Sequence, residues 1–250
     1  RPRARSPRNV DSRLWPSATR FNAVEINSSF YRPHQPGTYE RWAASVAEHF
    51  RFAVKVPKEI THKRRLQGAE ELLDRFLSEC TMLGDRLGPL LVQLPPSFRF
   101  DAKVVAGFLR ALRDHFDGDV VWEPRHPTWF TDEAEALLAE YRVARVAADP
   151  AVIPAAGEPG GWPGLDYYRL HGAPKMYYSD YPADYLSHLR GRIERQARSV
   201  SVLCIFDNTA LGAATANALR LSSELGLGRT QEGVIAKTAV TAMREPSGKG

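Results

Sequence analysis

The sequence predicts an α/β fold, and within that class a TIM-type (β/α) barrel. Short segments rich in β-branched and apolar residues alternate with segments of helical periodicity along most of the chain. Such alternation indicates parallel strands joined by right-handed crossovers. No glycine-rich dinucleotide fingerprint follows the first predicted strand, which disfavours a Rossmann fold. Seven strands are predicted, and with one further, unrecognised strand they fit an eight-stranded (β/α) barrel better than a six-stranded open sheet.

The elements follow from local patterns. Strands are predicted over residues 23–27, 52–56, 90–94, 120–123, 143–148, 167–171 and 202–206. Helices are predicted over residues 69–87, 103–116 and 212–225, and also after Thr131 and from Pro182. Thr131 is a plausible N-cap because acidic residues follow it, and Pro182 suits the first turn of a helix. The Pro/Gly-rich stretch 151–165 is predicted to be an extended connection.

Charge and composition set the domain organisation. The 250 residues carry a net charge of +5, and residues 1–20 alone hold six arginines against one aspartate. The remaining chain is therefore neutral, which argues against a large nucleic-acid-binding face. We predict a basic, disordered arm over residues 1–20, a barrel domain over 21–226 and a poorly ordered C-terminal extension over 227–250.

Other classes are disfavoured by composition. Apolar residues make up 43% and charged residues 25% of the chain, which is typical of a globular protein. No apolar run is long enough for a membrane-spanning helix, and no secretory signal is recognisable, so no membrane association is expected. Cys80 and Cys204 are far apart and form no CxxC pair. A reducing, cytoplasmic location is therefore predicted.

Polar residues occur at the C-terminal end of every predicted strand, on the face opposite the apolar one. The C-terminal ends of parallel barrel strands form the mouth where active sites are built. The predicted catalytic residues are Glu25, Lys55, Glu123 and His171. The predicted substrate-binding residues are Asn27, Tyr31, Gln93, Arg125, Asp149, Arg169 and Asp207.

Each residue type suggests a role. Glu25 and Glu123 are a carboxylate pair suited to acid–base or nucleophilic work, unless each is paired with an inward base, as Glu123 with Arg125 or Arg169. Lys55 suits a desolvated base, a Schiff-base nucleophile or an anion anchor, or it neutralises Glu25. A histidine with a pKa near neutrality suits proton transfer.

Several segments resemble a known family. VEINSSFY (24–31), FRFAVKVPKEITH (50–62), LGPLLVQLPPSF (87–98), VWEPRHPTWF (121–130), YYRLHG (167–172) and IFDNTALGAATANAL (205–219) are similar to the YecE-like family, domain of unknown function 72. The resemblance implies a TIM-type barrel and no established activity. Family members begin with a short strand carrying a Gly-Thr-Ser-Gly-Trp-like motif, and no such motif precedes Phe21. The first strand is therefore predicted to be missing or degenerate.

These observations favour metal-independent acid–base chemistry, as a hydrolase, lyase or isomerase, on a small polar, anionic or sugar-like substrate. No cofactor is predicted. Three alternatives stay open. One is a metal-dependent phosphodiesterase or nuclease, because the carboxylates and His171 include enough ligands for a divalent metal. A second is a non-catalytic ligand-binding barrel. A third is a nucleic-acid adaptor that binds through the arginine-rich arm over residues 1–20.

Overall fold

A computed structural model describes residues 21–227 of the chain. The basic arm predicted over residues 1–20 lies outside the described residues. The missing or degenerate first strand predicted before Phe21 also lies outside them, and so does the extension predicted over residues 227–250, except for Leu227.

Parallel strands and intervening helices make up the described part. The strands are β1 Ala23–Ile26, β2 Arg51–Lys55, β3 Leu87–Gln93, β4 Val120–Glu123, β5 Val143–Arg145, β6 Ala147–Asp149, β7 Gly160–Gly161, β8 Leu165–Leu170 and β9 Ser201–Phe206. The helices are α1 Ser28–Tyr31, α2 Pro36–Ala44, α3 Glu70–Cys80, α4 Ala102–His115, α5 Asp132–Glu140, α6 Ala183–Gln196 and α7 Ala213–Glu224.

The strands follow one another in chain order across two sheets. The first sheet has the order β1-β2-β3-β4-β5-β7 and the second β6-β8-β9, with every pair parallel except β5 and β7. The predicted strand 143–148 is divided into β5 and β6 at Val146, whose N–H donates to the Trp122 carbonyl oxygen at 2.9 Å. Within residues 21–227 no ladder joins β9 to β1, so a closed barrel is not shown and stays a prediction.

The two faces of the strands contribute to different cores. Val24 and Ile26 belong to a large core with residues of α3 and α4, whereas Ala23 faces a second, smaller cluster. That inner cluster receives side chains from every predicted strand: Ala23, Ala53, Leu91, Val121, Ala144, Val146, Leu165, Tyr167, Leu203 and Ile205. The alternation predicted from the sequence therefore separates an outer, helix-covered face from an inner face.

Helix ends follow from specific residues. The Asp101 carboxylate caps α4 by accepting from the N–H groups of Lys103 and Val104, and Thr131 caps α5 by accepting from the Ala134 N–H. The helix predicted over 69–87 is wrong at its C-terminal end. It ends at Cys80 and continues as a 3-10 segment interrupted by Gly84, whose φ of 53° is incompatible with a helix.

Several short elements were not predicted. Helices α1 and α2 and a π-helical turn, Glu59–Lys63, follow β1 or β2, and a 3-10 turn, Pro127–Trp129, follows β4. The stretch 151–165, predicted as an extended connection, contains the 3-10 turn Pro154–Gly157 and the short strand β7. In the part of the chain that the structure covers, no helix is both long and apolar enough to span a bilayer.

Candidate active site

Charged side chains meet at the C-terminal ends of β1, β2, β4, β8 and β9. We call the following seven residues the polar cluster: Glu25, Lys55, Glu123, Arg125, Arg169, His171 and Asp207. All seven were predicted as site residues, and all but Arg125 are buried. The cluster holds three carboxylates, two guanidinium groups, the Lys55 amine and the His171 ring.

Arg169 is the centre of the cluster and is only 1% exposed. Its Nε donates to Glu25 Oε2 at 2.9 Å and its Nη2 donates to Glu25 Oε1 at 2.7 Å, which is a bidentate pair. Its Nη1 donates to Glu123 Oε2, and Nη2 also lies 3.4 Å from Asp207 Oδ2. A single guanidinium therefore contacts all three carboxylates.

Glu25 is completely enclosed. Besides Arg169, the hydroxyl of Tyr167 donates to its Oε2 at 2.9 Å. Burial and the neighbouring Glu25 charge raise the pKa of Tyr167 well above its usual value, so this phenol stays a donor. The donors around Glu25 fix its position and occupy both oxygens.

Glu123 is held ionised by its neighbours. Arg125 Nε donates to its Oε1 at 2.8 Å, and Arg169 binds the other oxygen. Burial alone would raise the pKa of Glu123, but the two guanidiniums and the hydrogen bond with His171 hold it well below the usual range. This is the pairing given above as the alternative role of Glu123.

His171 lies between two carboxylates. Its Nδ1 is 3.0 Å from Asp207 Oδ2, and its Nε2 is 3.3 Å from both Glu123 Oε1 and Arg125 Nη2. Burial would raise the pKa of Asp207, but the hydrogen bond with His171 and the Arg169 charge lower it. Both ring nitrogens of His171 therefore face a carboxylate, and the imidazole links Asp207 to Glu123.

Lys55 is the exception among the three cations. It is 8% exposed, yet within the described residues its Nζ makes neither a hydrogen bond nor an ion pair within 4.0 Å. The ammonium instead lies 4.1 Å from the centroid of the Phe30 ring. Burial and the Arg169 charge lower the pKa of Lys55 from 10.5 to about 8, against the opposing effect of the cluster carboxylates. Arg169 binds both oxygens of Glu25, and among the described residues Lys55 forms no direct ion pair with that carboxylate, although the Glu25 charge raises the pKa of Lys55.

The remaining predicted site residues lie around or outside the cluster. Gln93 is 7% exposed and pairs in register with Glu123 at the end of β3. Asn27 precedes α1, and its Oδ1 is buried with no partner among the described residues. The Asp149 carboxylate accepts from the Tyr181 hydroxyl at 2.6 Å, and that hydroxyl accepts from the Gly172 N–H. Asp149 therefore supports the loop after His171.

Tyr31 is not brought to the cluster. It is 70% exposed and lines a separate surface cleft of about 250 Å³, between α1, the Glu59–Lys63 turn and α3. None of the polar cluster lines this cleft. Tyr31 was predicted as an aromatic residue at the rim of the site, but it lies at the end of α1 and lines this cleft instead.

Sequence reasoning missed two contributors to the site. Tyr167 was treated as an ordinary strand residue, although it lies on the same face as Arg169. His62 lies in the π-helical turn, with its ring 5.0 Å from that of Phe30. Burial and the nearby charges, first Lys55 and then Arg125, lower the pKa of His62 to about 4. The histidine of the KEITH segment is visible in the sequence, but the π-helical turn that brings it next to Phe30 could not be predicted from it.

The carboxylates of the polar cluster are arranged for guanidinium groups and not for a metal ion. Within residues 21–227 no group of three or more His, Cys, Asp or Glu side chains is arranged to hold a metal ion. The oxygens of Glu25 and Glu123 point at guanidinium nitrogens, so they do not form a set of free ligands.

Comparison with known proteins places the chain in a family. The sequence model of the family described as "Protein of unknown function DUF72" matches residues 6–242. The chain belongs to the DUF72 family. This confirms the resemblance to YecE-like proteins seen in the strand-end motifs.

The DUF72 relatives include proteins of known sequence and of known structure. The UPF0759 protein YecE of Escherichia coli K12 is 32% identical over 145 residues, 56% of this chain and 53% of YecE. YunF of Bacillus subtilis 168 is 30% identical over 122 residues, 46% of this chain and 43% of YunF. The chain spans about half the length of the curated relatives it matches.

Two crystal structures of DUF72 proteins share the fold. The protein from Enterococcus faecalis V583 has a TM-score of 0.73 and 25% identity, covering 86% of this chain and 94% of that one. The protein from Thermotoga maritima MSB8 has a TM-score of 0.69 and 25% identity, covering 82% and 85%. The relatives support the α/β fold. Because the family is one of unknown function, the reaction has to be inferred from the geometry of the polar cluster.

Proposed function

We propose that the polar cluster is the acid–base active site of an enzyme that acts on a small, anionic or hydroxylated substrate without a metal. Lys55 is the proton-transfer group, and Arg125 and Gln93 bind the substrate. The observation that carries the proposal is the unpaired Lys55 amine. It is a buried basic group beside three carboxylates, and each of those carboxylates is already in contact with another cation.

Of the four predicted catalytic residues, only Lys55 and His171 keep a role in proton transfer. Glu25 and Glu123 are positioning residues, because both are bound by Arg169 and an ionised Glu123 has no proton to give. His171 and Asp207 relay protons between the substrate and solvent. Asp207 is 8% exposed, so it is the member of this pair that reaches the surface.

The proposed site requires that the two sheets come together as parts of one barrel. We infer that the strands curve into an incomplete (β/α) barrel, with the polar cluster at its C-terminal mouth. The support is that Glu25 of β1 contacts Tyr167 and Arg169 of β8, although these strands belong to different sheets. The inner cluster, which draws on every predicted strand, supports the same arrangement.

The experiment is a substrate screen in heavy water. Small hydroxy acids, keto acids and sugar phosphates are incubated with the protein in D2O and followed by NMR for products or solvent deuterium in recovered substrate. The proposal predicts a signal that Lys55→Met abolishes and that Lys58→Met, a change to an exposed lysine on the same segment, leaves intact. Equal turnover by Lys55→Met would contradict it. Saturable binding that depends on the cluster, with no turnover of any compound, would support the non-catalytic binding barrel instead.

A further inference from the structure

We propose that Lys55 forms an imine with a small aldehyde or ketone that carries an anionic group. The inference rests on the proposed function above and names the chemistry of the same amine. Its geometric basis is that Lys55 is a buried residue at the end of β2 and that its Nζ has neither a hydrogen bond nor an ion pair within 4.0 Å to any described residue.

The environment of Lys55 differs from that of a lysine whose role is only structural. Arg169 contacts all three cluster carboxylates and Arg125 also contacts Glu123, so each carboxylate has a cation in contact with it without Lys55. The Phe30 ring covers the ammonium at 4.1 Å and excludes water from that side. A desolvated lysine beside another cation is the environment that makes a lysine nucleophilic, and a pKa of about 8 leaves much of it neutral near that pH.

The step balances without an added oxidant or reductant. The lone pair of neutral Nζ attacks the carbonyl carbon, and the carbonyl π pair moves to oxygen. One Nζ proton transfers to that oxygen, which gives a carbinolamine. The nitrogen lone pair then forms the C=N bond as the C–O bond breaks, and the second Nζ proton leaves with the hydroxyl as water. Protonation of the imine from solvent yields an iminium ion, which withdraws electrons from the adjacent carbon.

Arg125 selects the anionic group. Its Nε contacts Glu123 and its Nη2 contacts Glu123 and His171, whereas its Nη1 has no hydrogen bond or ion pair with another described residue. The side chain is 18% exposed, so this nitrogen is available to a carboxylate or phosphate oxygen. The substrate class is therefore a short carbonyl compound with a carboxylate or phosphate group.

The test traps the imine on the unmodified chain. The protein is incubated at pH 8 with glyoxylate, glycolaldehyde phosphate or neutral glycolaldehyde, reduced with sodium borohydride, and mapped by peptide mass spectrometry. We expect saturable labelling of Lys55, about tenfold faster than that of the exposed Lys58, because a desolvated lysine is the better nucleophile at this pH. Comparison of the first two probes shows whether a carboxylate or a phosphate is preferred, and the neutral probe is expected to label most slowly.

Two variants complete the design. Lys55→Arg keeps the charge but cannot form the imine, so it loses the label, and Lys58→Met keeps the label on Lys55. Labelling spread evenly over exposed lysines, or absent from Lys55, would overturn the imine. Because the label is read on the natural chain, a variant that fails to fold does not affect this outcome. Turnover that is lost in Lys55→Met without any trapped adduct would leave the acid–base proposal standing and eliminate only the imine.

Discussion

Arg169 binds both carboxylate oxygens of Glu25, at 2.9 Å from Nε and 2.7 Å from Nη2, with both side chains buried. The two residues are 144 positions apart in the chain. The ion pair therefore ties the first strand of one sheet to the second strand of the other, and it fixes the carboxylate beside which Lys55 lies.

Replacing Arg169 should destabilise the protein strongly. Arg169→Met leaves three carboxylates near one another without their shared cation, and loss of one partner from a buried pair costs about 3–5 kcal/mol. Chemical denaturation measures the change in unfolding free energy. The control is Arg220→Met, which removes an exposed i,i+4 pair with Glu224 and should cost less than about 1 kcal/mol. Similar losses for the two variants would show that Arg169 is not the organising cation.

The Tyr167 hydroxyl should contribute measurable stability. Tyr167→Phe removes one hydrogen bond to a buried, charged acceptor, which is worth about 1.5–3 kcal/mol. Tyr39→Phe is a matched control, because Tyr39 is equally buried and its hydroxyl has no partner among the described residues. The control should be neutral or slightly stabilising in the same denaturation experiment. A larger loss for Tyr39→Phe than for Tyr167→Phe would contradict the assigned bond.

The sequence was sufficient to locate the strands and the cluster but not its pairings. Side chains alternate between the two faces of a strand, which places Glu25 and Arg169 on the inward face. Because the C-terminal ends of parallel strands lie at the same side of the fold, these residues were expected to converge. Which acid binds which base depends on distances across two sheets, and periodicity carries no information on them. Lys55 and Glu25 lie on neighbouring strands, so an ion pair between them was the simplest expectation. The Arg169 guanidinium on β8 binds the Glu25 carboxylate instead. His62 was missed because a π-helical turn has no clear sequence pattern.

His62 should make stability depend on pH in a defined window. Its pKa is lowered from 6.5 to about 4 in the folded chain, so below pH 6.5 the unfolded state binds more protons. Stability is therefore lost as the pH falls from about 6.5 to about 4 and is fully present above this range. His62→Gln should flatten the dependence of unfolding free energy on pH in this window, whereas His188→Gln, an exposed control on α6, should not. Equal slopes in the natural chain and His62→Gln would refute the assignment.

The central claim is that Lys55 is a desolvated amine poised for chemistry, and its titration tests this most directly. The Lys55 ¹³Cε resonance, assigned by its disappearance in Lys55→Arg, is followed by NMR from pH 6 to pH 11. The account predicts a midpoint at about 8, because burial and Arg169 lower the pKa of this lysine. A midpoint near 10.4, the value of a free lysine, would show a solvated or ion-paired ammonium and contradict the account.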